Sequence, residues 1–157
     1  KKNLRLSIVG GHLEEHENYY LRIKQLIEEK GLSDHVCILG YRRDALKILK
    51  CLDIYVSASL SEGLPISILE ALASKIPTIA TDIRGNKDIL CNPVFGLLVK
   101  PNSAVGLVEG VIKMTQLSQK EKEIMTQNAY SRIKNHFSIK EMVNKTTLLY
   151  NLILHSK

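Results

Sequence analysis

The 157 residues, 45% hydrophobic and 24% charged, suffice for one domain with a substantial core, and no apolar run approaches the roughly 18 residues that cross a bilayer. The net charge of +6 is uneven: residues 1–99 hold 13 basic and 12 acidic side chains, residues 100–157 hold 9 and 4. With few aromatics among those charges and no nucleic-acid motif, the basic half reads as solvated helix surface with a capacity to meet an anionic membrane, not as a nucleic-acid interface.

Leu4 to Val9 reads as a strand ending at Gly10-Gly11. From about Glu17 to Lys30, Tyr20, Ile23, Leu26 and Ile27 recur at helical spacing, and Gly31 is the stop. Val36 to Leu39 is a short apolar strand closed by Gly40, with Cys37 expected in the core. Ala45, Leu46, Ile48 and Leu49 predict a short helix, and Ile54-Tyr55-Val56 a strand opened by Asp53, followed by a polar loop from Ser57 to Glu62. Pro65 suits the first turn of a helix running to about Ser74. Pro77 to Thr81 is a strand, Gly85 to Leu90 a loop with one helical turn, and Gly96 to Val99 a last strand. Three helices follow over about residues 103–154, the last with an apolar stripe of Ile139, Met142, Val143, Thr146, Leu149, Tyr150 and Ile153. Short apolar strands alternating with helices predict an α/β, doubly wound parallel sheet covered on both faces, with ligands outside the carboxyl ends of the strands.

The three cysteines, Cys37, Cys51 and Cys91, lack C-x-x-C spacing. That opposes a disulfide scaffold or a zinc site and fits a reducing, cytoplasmic setting. The amino-terminal Lys1-Lys2-Asn3-Leu4-Arg5 carries no apolar leader pattern.

The chemistry concentrates in Ser57-Ala-Ser-Leu-Ser-Glu-Gly-Leu-Pro-Ile-Ser-Ile-Leu-Glu70. Gly63 has no Cβ and admits a ligand close to the backbone. The amides beyond it open a helix whose positive end favours phosphate. Proline at 65 donates no amide, so Leu64 and Ile66 are the better donors. The helix is apolar except for Ser67, Glu70 and Ser74, which share one face. A carboxylate there calls for donors such as ribose hydroxyls, whereas a plain solvent face would explain the same spacing. Glu62 is either a ligand contact or a favourable charge at a helix N-terminus.

The ordered set Gly40-Tyr41-Arg42, Asp53-Ile-Tyr-Val56, Ser59-Leu-Ser-Glu-Gly-Leu-Pro-Ile-Ser-Ile-Leu-Glu-Ala71, Pro77-Thr-Ile-Ala-Thr81, Gly85-Asn-Lys-Asp-Ile89 and Gly96-Leu-Leu-Val99 resembles the retaining nucleotide-sugar glycosyltransferases of GT-B architecture, family 4 (glycosyltransferase group 1 domain). The resemblance covers about residues 4–115. It implies the Rossmann-like C-terminal, donor-binding half of a GT-B fold over residues 1–157. It further implies transfer of a hexose from a UDP- or GDP-sugar to a glycan or lipid-linked acceptor, in the manner of bacterial polysaccharide pathways. Glu70 would take the ribose hydroxyls and Glu62, as the catalytic residue, would face the donor sugar. Backbone around Gly63, Leu64, Pro65 and Ile66 would hold sugar or phosphate, the backbone at Tyr41 and Arg42 would meet the base, and Gly10 would leave room for the nucleotide. No metal or cofactor is implied, since basic groups and a helix terminus neutralise the diphosphate.

The family's G-R-L…K clamp and its N-terminal acceptor domain have no counterpart here, so the chain reads as a donor half, inactive alone and dependent on the missing domain as a partner. His12 and His16 read as surface residues, as do Lys75 and Arg84, with phosphate assistance by Lys75 or Arg84 the alternative. Another GT-B enzyme, such as a nucleotide-sugar epimerase, or a non-catalytic Rossmann-like nucleotide-binding module stays open. A receiver module and a dinucleotide-binding fingerprint are excluded, because Val9-Gly10-Gly11-His12 carries no acidic cluster and Gly10 to Glu15 no G-x-G-x-x-G.

Overall fold

The computed structural model describes residues 4–11 and 17–155; His12 and His16 lie outside the described residues. The chain divides into two units between Lys47 and Ile48.

In the first unit, the strands β1 (Leu6–Val9) and β2 (Val36–Gly40) pair in parallel. The ladder continues past β1, with the Gly10 amide donating to the Gly40 carbonyl at 3.0 Å. Helix α1 (Glu17–Glu29) joins them. It stops as its sequence predicts: Gly31 takes a left-handed φ of 61°, so that its amide and that of Leu32 reach back to the carbonyls of Glu28 and Ile27. Cys37 is exposed, against its expected place in the core. It falls between the half-buried Val36 and Ile38, and strand alternation turns it to the opposite face.

Helix α2 (Ala45–Leu49) contains the division between the units. The second unit carries a three-stranded parallel sheet in the order β3 (Tyr55–Ser57), β4 (Thr78–Thr81), β5 (Leu97–Val99). The all-parallel pairing expected from alternating strands and helices therefore forms as two ladders, one in each unit. Central β4 is buried throughout. On one side the sheet packs with α3 (Ile66–Ala73) and α6 (Gln119–His136), where Ile68, Leu72, Ala80, Ile89, Leu90, Ala129 and Ile133 form the main core. Ile79 and Leu97 pack with Met114 of α5 (Ala104–Gln116). Gly110 lets α5 approach so closely that a Cβ there would lie 2.8 Å from Val99 Cγ1.

One expectation changes. The segment after β4 is a helix of its own, α4 (Arg84–Ile89), not a loop with one turn. Its last carbonyls, those of Asp88 and Ile89, are held by the Arg132 guanidinium at 2.8 Å each, a cap reaching across from α6. The apolar stripe of α7 (Ile139–Leu154) buries none of its residues: amphipathic spacing supplies a surface able to pack, and no element among the described residues covers it.

Candidate functional site: the loop from Ser57 to Pro65 and the start of α3

The site is built where β3 ends. Pro65 occupies the N-cap position of α3 in extended conformation and no side chain caps the helix. By contrast α5, α6 and α7 are each capped by a serine, Ser103, Ser118 and Ser138, that accepts from an amide of the first turn. The Pro65 carbonyl takes the amides of Ile68 and Leu69 at 3.1 and 3.3 Å, which leaves the amides of Ile66 and Ser67 without a partner among the described residues. Leu64 and Ile66 are exposed beside them.

Gly63 is exposed, with a φ outside the left-handed range, and a Cβ built on it meets nothing within 4 Å. Neither backbone conformation nor packing among the described residues requires glycine there. Gly85 is the opposite case. It is buried, and an added Cβ would lie 2.5 Å from the carbonyl oxygens of both Glu62 and Gly63. The first turn of α4 is therefore a seat on which the Glu62-Gly63 backbone rests.

Side chains reinforce that seat. Ser59 Oγ donates to Glu62 Oε1 at 2.8 Å. The Thr81 hydroxyl, at the end of β4, donates to the Ser59 carbonyl. Asn86, fully buried, donates through Nδ2 to the Thr81 carbonyl at 2.8 Å and to Thr81 Oγ1 at 3.2 Å. Its Oδ1 is buried with no partner among the described residues. Ser67 is exposed, whereas Glu70 and Ser74 are half-buried on the partly open face of α3. Behind them the half-buried Tyr55 phenol is pushed above the usual tyrosine range, chiefly by burial. A hydrogen bond with Ser67 works against that rise, and the negative charges of Glu62 and Glu70 add to it.

Of the other predicted residues, Gly10 and Tyr41 follow the neighbouring carboxyl ends of β1 and β2. A Cβ on Gly10 would meet nothing within 4 Å, and one on Gly11 would touch Tyr41 Cβ at 3.3 Å. Tyr41 is 76% exposed. Arg42 is engaged through Nε and Nη2 by Asp44, at 2.8 Å each. That pair raises the arginine and holds the Asp44 carboxyl below its ordinary range. Lys75 is at the far end of α3, in a left-handed φ of 58°, with its ammonium 5.0 Å from the Tyr130 ring centroid. It follows the C-terminal end of α3, whereas the loop precedes the helix N-terminus. Arg84 opens α4, next to the Gly85 seat, and is exposed. A shallow groove on α6, lined by Lys120, Glu123, Ile124, Gln127 and Asn128, contains none of the predicted site residues.

Residues 1–132 match the family described as glycosyl transferases group 1. The chain belongs to that family. It is 34% identical over 122 residues to the UDP-Gal:alpha-D-GlcNAc-diphosphoundecaprenol alpha-1,3-galactosyltransferase of Escherichia coli, an alignment covering 78% of this chain and 31% of that protein. A glycosyltransferase crystal structure from Rickettsia africae superposes with a TM-score of 0.88 at 23% identity, over 100% of this chain and 50% of the other. Anabaena Alr3699/HepE, solved with UDP and glucose, gives 0.84 at 22% identity, over 93% of this chain and 40% of that one. The chain thus spans about a third to a half of these relatives, and its fold is that of the C-terminal half of GT-B glycosyltransferases. No helix among the described residues is long and apolar enough to cross a membrane.

Tyr55, Thr81, Gly85 and Asn86 escaped the sequence reading as site residues. Tyr55 and Thr81 are submerged in strand patterns, and a lone Gly-Asn pair signals only a turn. Their roles come from long-range contacts that no local pattern encodes.

Proposed function

We propose that this chain is the donor-binding half of a retaining glycosyltransferase. It would move a hexose from a UDP- or GDP-sugar to a glycan or lipid-linked acceptor when joined to an acceptor-binding domain. The observation that carries the reading is Gly63: an open glycine required by nothing among the described residues, between the exposed Glu62 and the uncapped start of α3. The E. coli relative's name specifies a UDP-sugar donor, and HepE was solved with UDP and glucose, which supports the same class of ligand here.

On this reading the diphosphate is met by the amides at Leu64 and Ile66, where the helix terminus stabilises the negative charge that grows on the leaving group. Glu70 accepts from the ribose hydroxyls and Glu62 accepts from the sugar beside the reacting carbon. Gly63 and Pro65 shape the approach, while Gly10 and the backbone at Tyr41 and Arg42 serve the nucleoside. Residues 1–157 act as one donor half, without metal and without turnover alone. The exposed apolar residues of α7, Met142, Leu149, Tyr150 and Ile153 among them, give the rest of such a protein a surface to pack on.

The test is transfer by the two-domain protein carrying Glu62→Gln. We expect kcat to fall by about 10²-fold or more with nucleotide affinity retained. Wild-type turnover would remove Glu62 from the reaction.

A further inference from the structure

We propose that Asn86 and Thr81 are positioning residues for Glu62, acting through Ser59. The directions of these hydrogen bonds are fixed by chemistry. The Ser59 carbonyl only accepts, so the Thr81 hydroxyl donates to it. The Thr81 carbonyl, which also takes the Ile83 amide at 2.9 Å, only accepts, and Thr81 Oγ1 has spent its proton, so the Asn86 atom that faces both is a donor. The amide therefore has one orientation, with Nδ2 toward Thr81 and Oδ1 left buried and unpartnered. An apolar side chain of similar size would fill the space without an orphan oxygen, so packing alone does not call for asparagine.

What the amide fixes leads to the loop. Thr81 anchors the Ser59 backbone, and Ser59 Oγ holds Glu62 Oε1 at 2.8 Å. Next to Asn86, Gly85 supports the carbonyls of Glu62 and Gly63. Side-chain bonds thus reach the carboxylate from one direction and backbone contact sets its main chain from another. Serving a sugar contact at Glu62 rests on the donor-site reading, whereas positioning of the loop stands on these contacts alone.

The experiment compares Thr81→Val, which keeps the shape and removes the hydroxyl, with Thr81→Ser, which keeps the hydroxyl. Backbone 15N order parameters are followed at Ser61, Gly63 and Leu64, with amide hydrogen exchange in α5 and α6 as a control. Affinity is measured for UDP and GDP and for UDP-glucose and GDP-mannose. We expect Thr81→Val to lower the loop order parameters to below about 0.6 and to weaken the nucleotide sugar by about tenfold while nucleoside diphosphate binding holds; Thr81→Ser restores both. Wild-type loop order parameters in Thr81→Val, or an equal loss for nucleotide and nucleotide sugar together with loss of α5 and α6 protection, would overturn the proposal. If no wild-type ligand binds but the valine loosens the loop and the serine restores it, the positioning stands and the donor reading falls. If Thr81→Val does not fold, Ser59→Ala replaces it, with the same loss expected for the nucleotide sugar; unchanged affinity would count against the relay.

Discussion

Two glycines within 22 residues of each other do opposite things, and substitution separates them. Alanine at Gly85 forces a Cβ to 2.5 Å from two backbone oxygens, which no side-chain rotation relieves. We expect a stability loss of about 1–3 kcal/mol, the range of overpacking, together with weakened nucleotide-sugar binding. Alanine at Gly63 meets open space, so thermal denaturation should be unchanged within about 0.5 kcal/mol while nucleotide-sugar affinity falls. A Gly63→Ala protein with full affinity would show that nothing approaches that backbone. The proposal of Glu62, Gly63 and Glu70 as a candidate site comes from the motif's order, not from any one residue. The seat beneath them was not legible, since Gly85 and Asn86 read locally as a turn.

At the scale of elements, periodicity was a good guide where a helix or strand is defined by its own apolar face. α1, β2 and α2 begin and end close to the residues expected from spacing and stop signals. α4 was underread because glycine and asparagine are weak helix formers. Its helix stands on tertiary contacts instead: the Asn86 amide against Thr81 and the Arg132 fork on its last carbonyls. Magnitudes decide the sign at Gly110. Alanine there would gain about 0.8–1 kcal/mol of helix propensity, but a 2.8 Å approach to Val99 brings about 1–3 kcal/mol of overpacking, so the melt should show net destabilisation. At α6, Ser118 and Glu121 form a reciprocal capping box, and the Ser118 hydrogen bonds hold the Glu121 carboxyl below its ordinary range. Because its pKa in the folded chain is the lower one, this interaction stabilises above the unfolded carboxylate pKa and fades as pH falls through the folded value. Carboxyl-resolved NMR titration of Ser118→Ala should find Glu121 returned toward the ordinary range; an unmoved titration would contradict the cap.

For the whole molecule, composition and alternation pointed to an α/β chain with parallel strands, and both units have that pairing. What they did not disclose is that the strands form two separate ladders, because periodicity marks which residues pair and says nothing of how many strands join. The α7 stripe makes the same point, since apolar spacing records a capacity to pack without naming the partner. Family membership and a span of a third to a half of its relatives turn the uncapped start of α3 into a site with a proposed ligand. The most direct test is titration of the chain with UDP, GDP and ADP, followed by backbone amide NMR, in the wild type and in Glu70→Ala. The account predicts saturable shifts at Gly63, Leu64 and Ile66 with at least one of the three, and affinity lowered by about tenfold or more in the variant. No response to any nucleotide, or equal binding by Glu70→Ala, would contradict it.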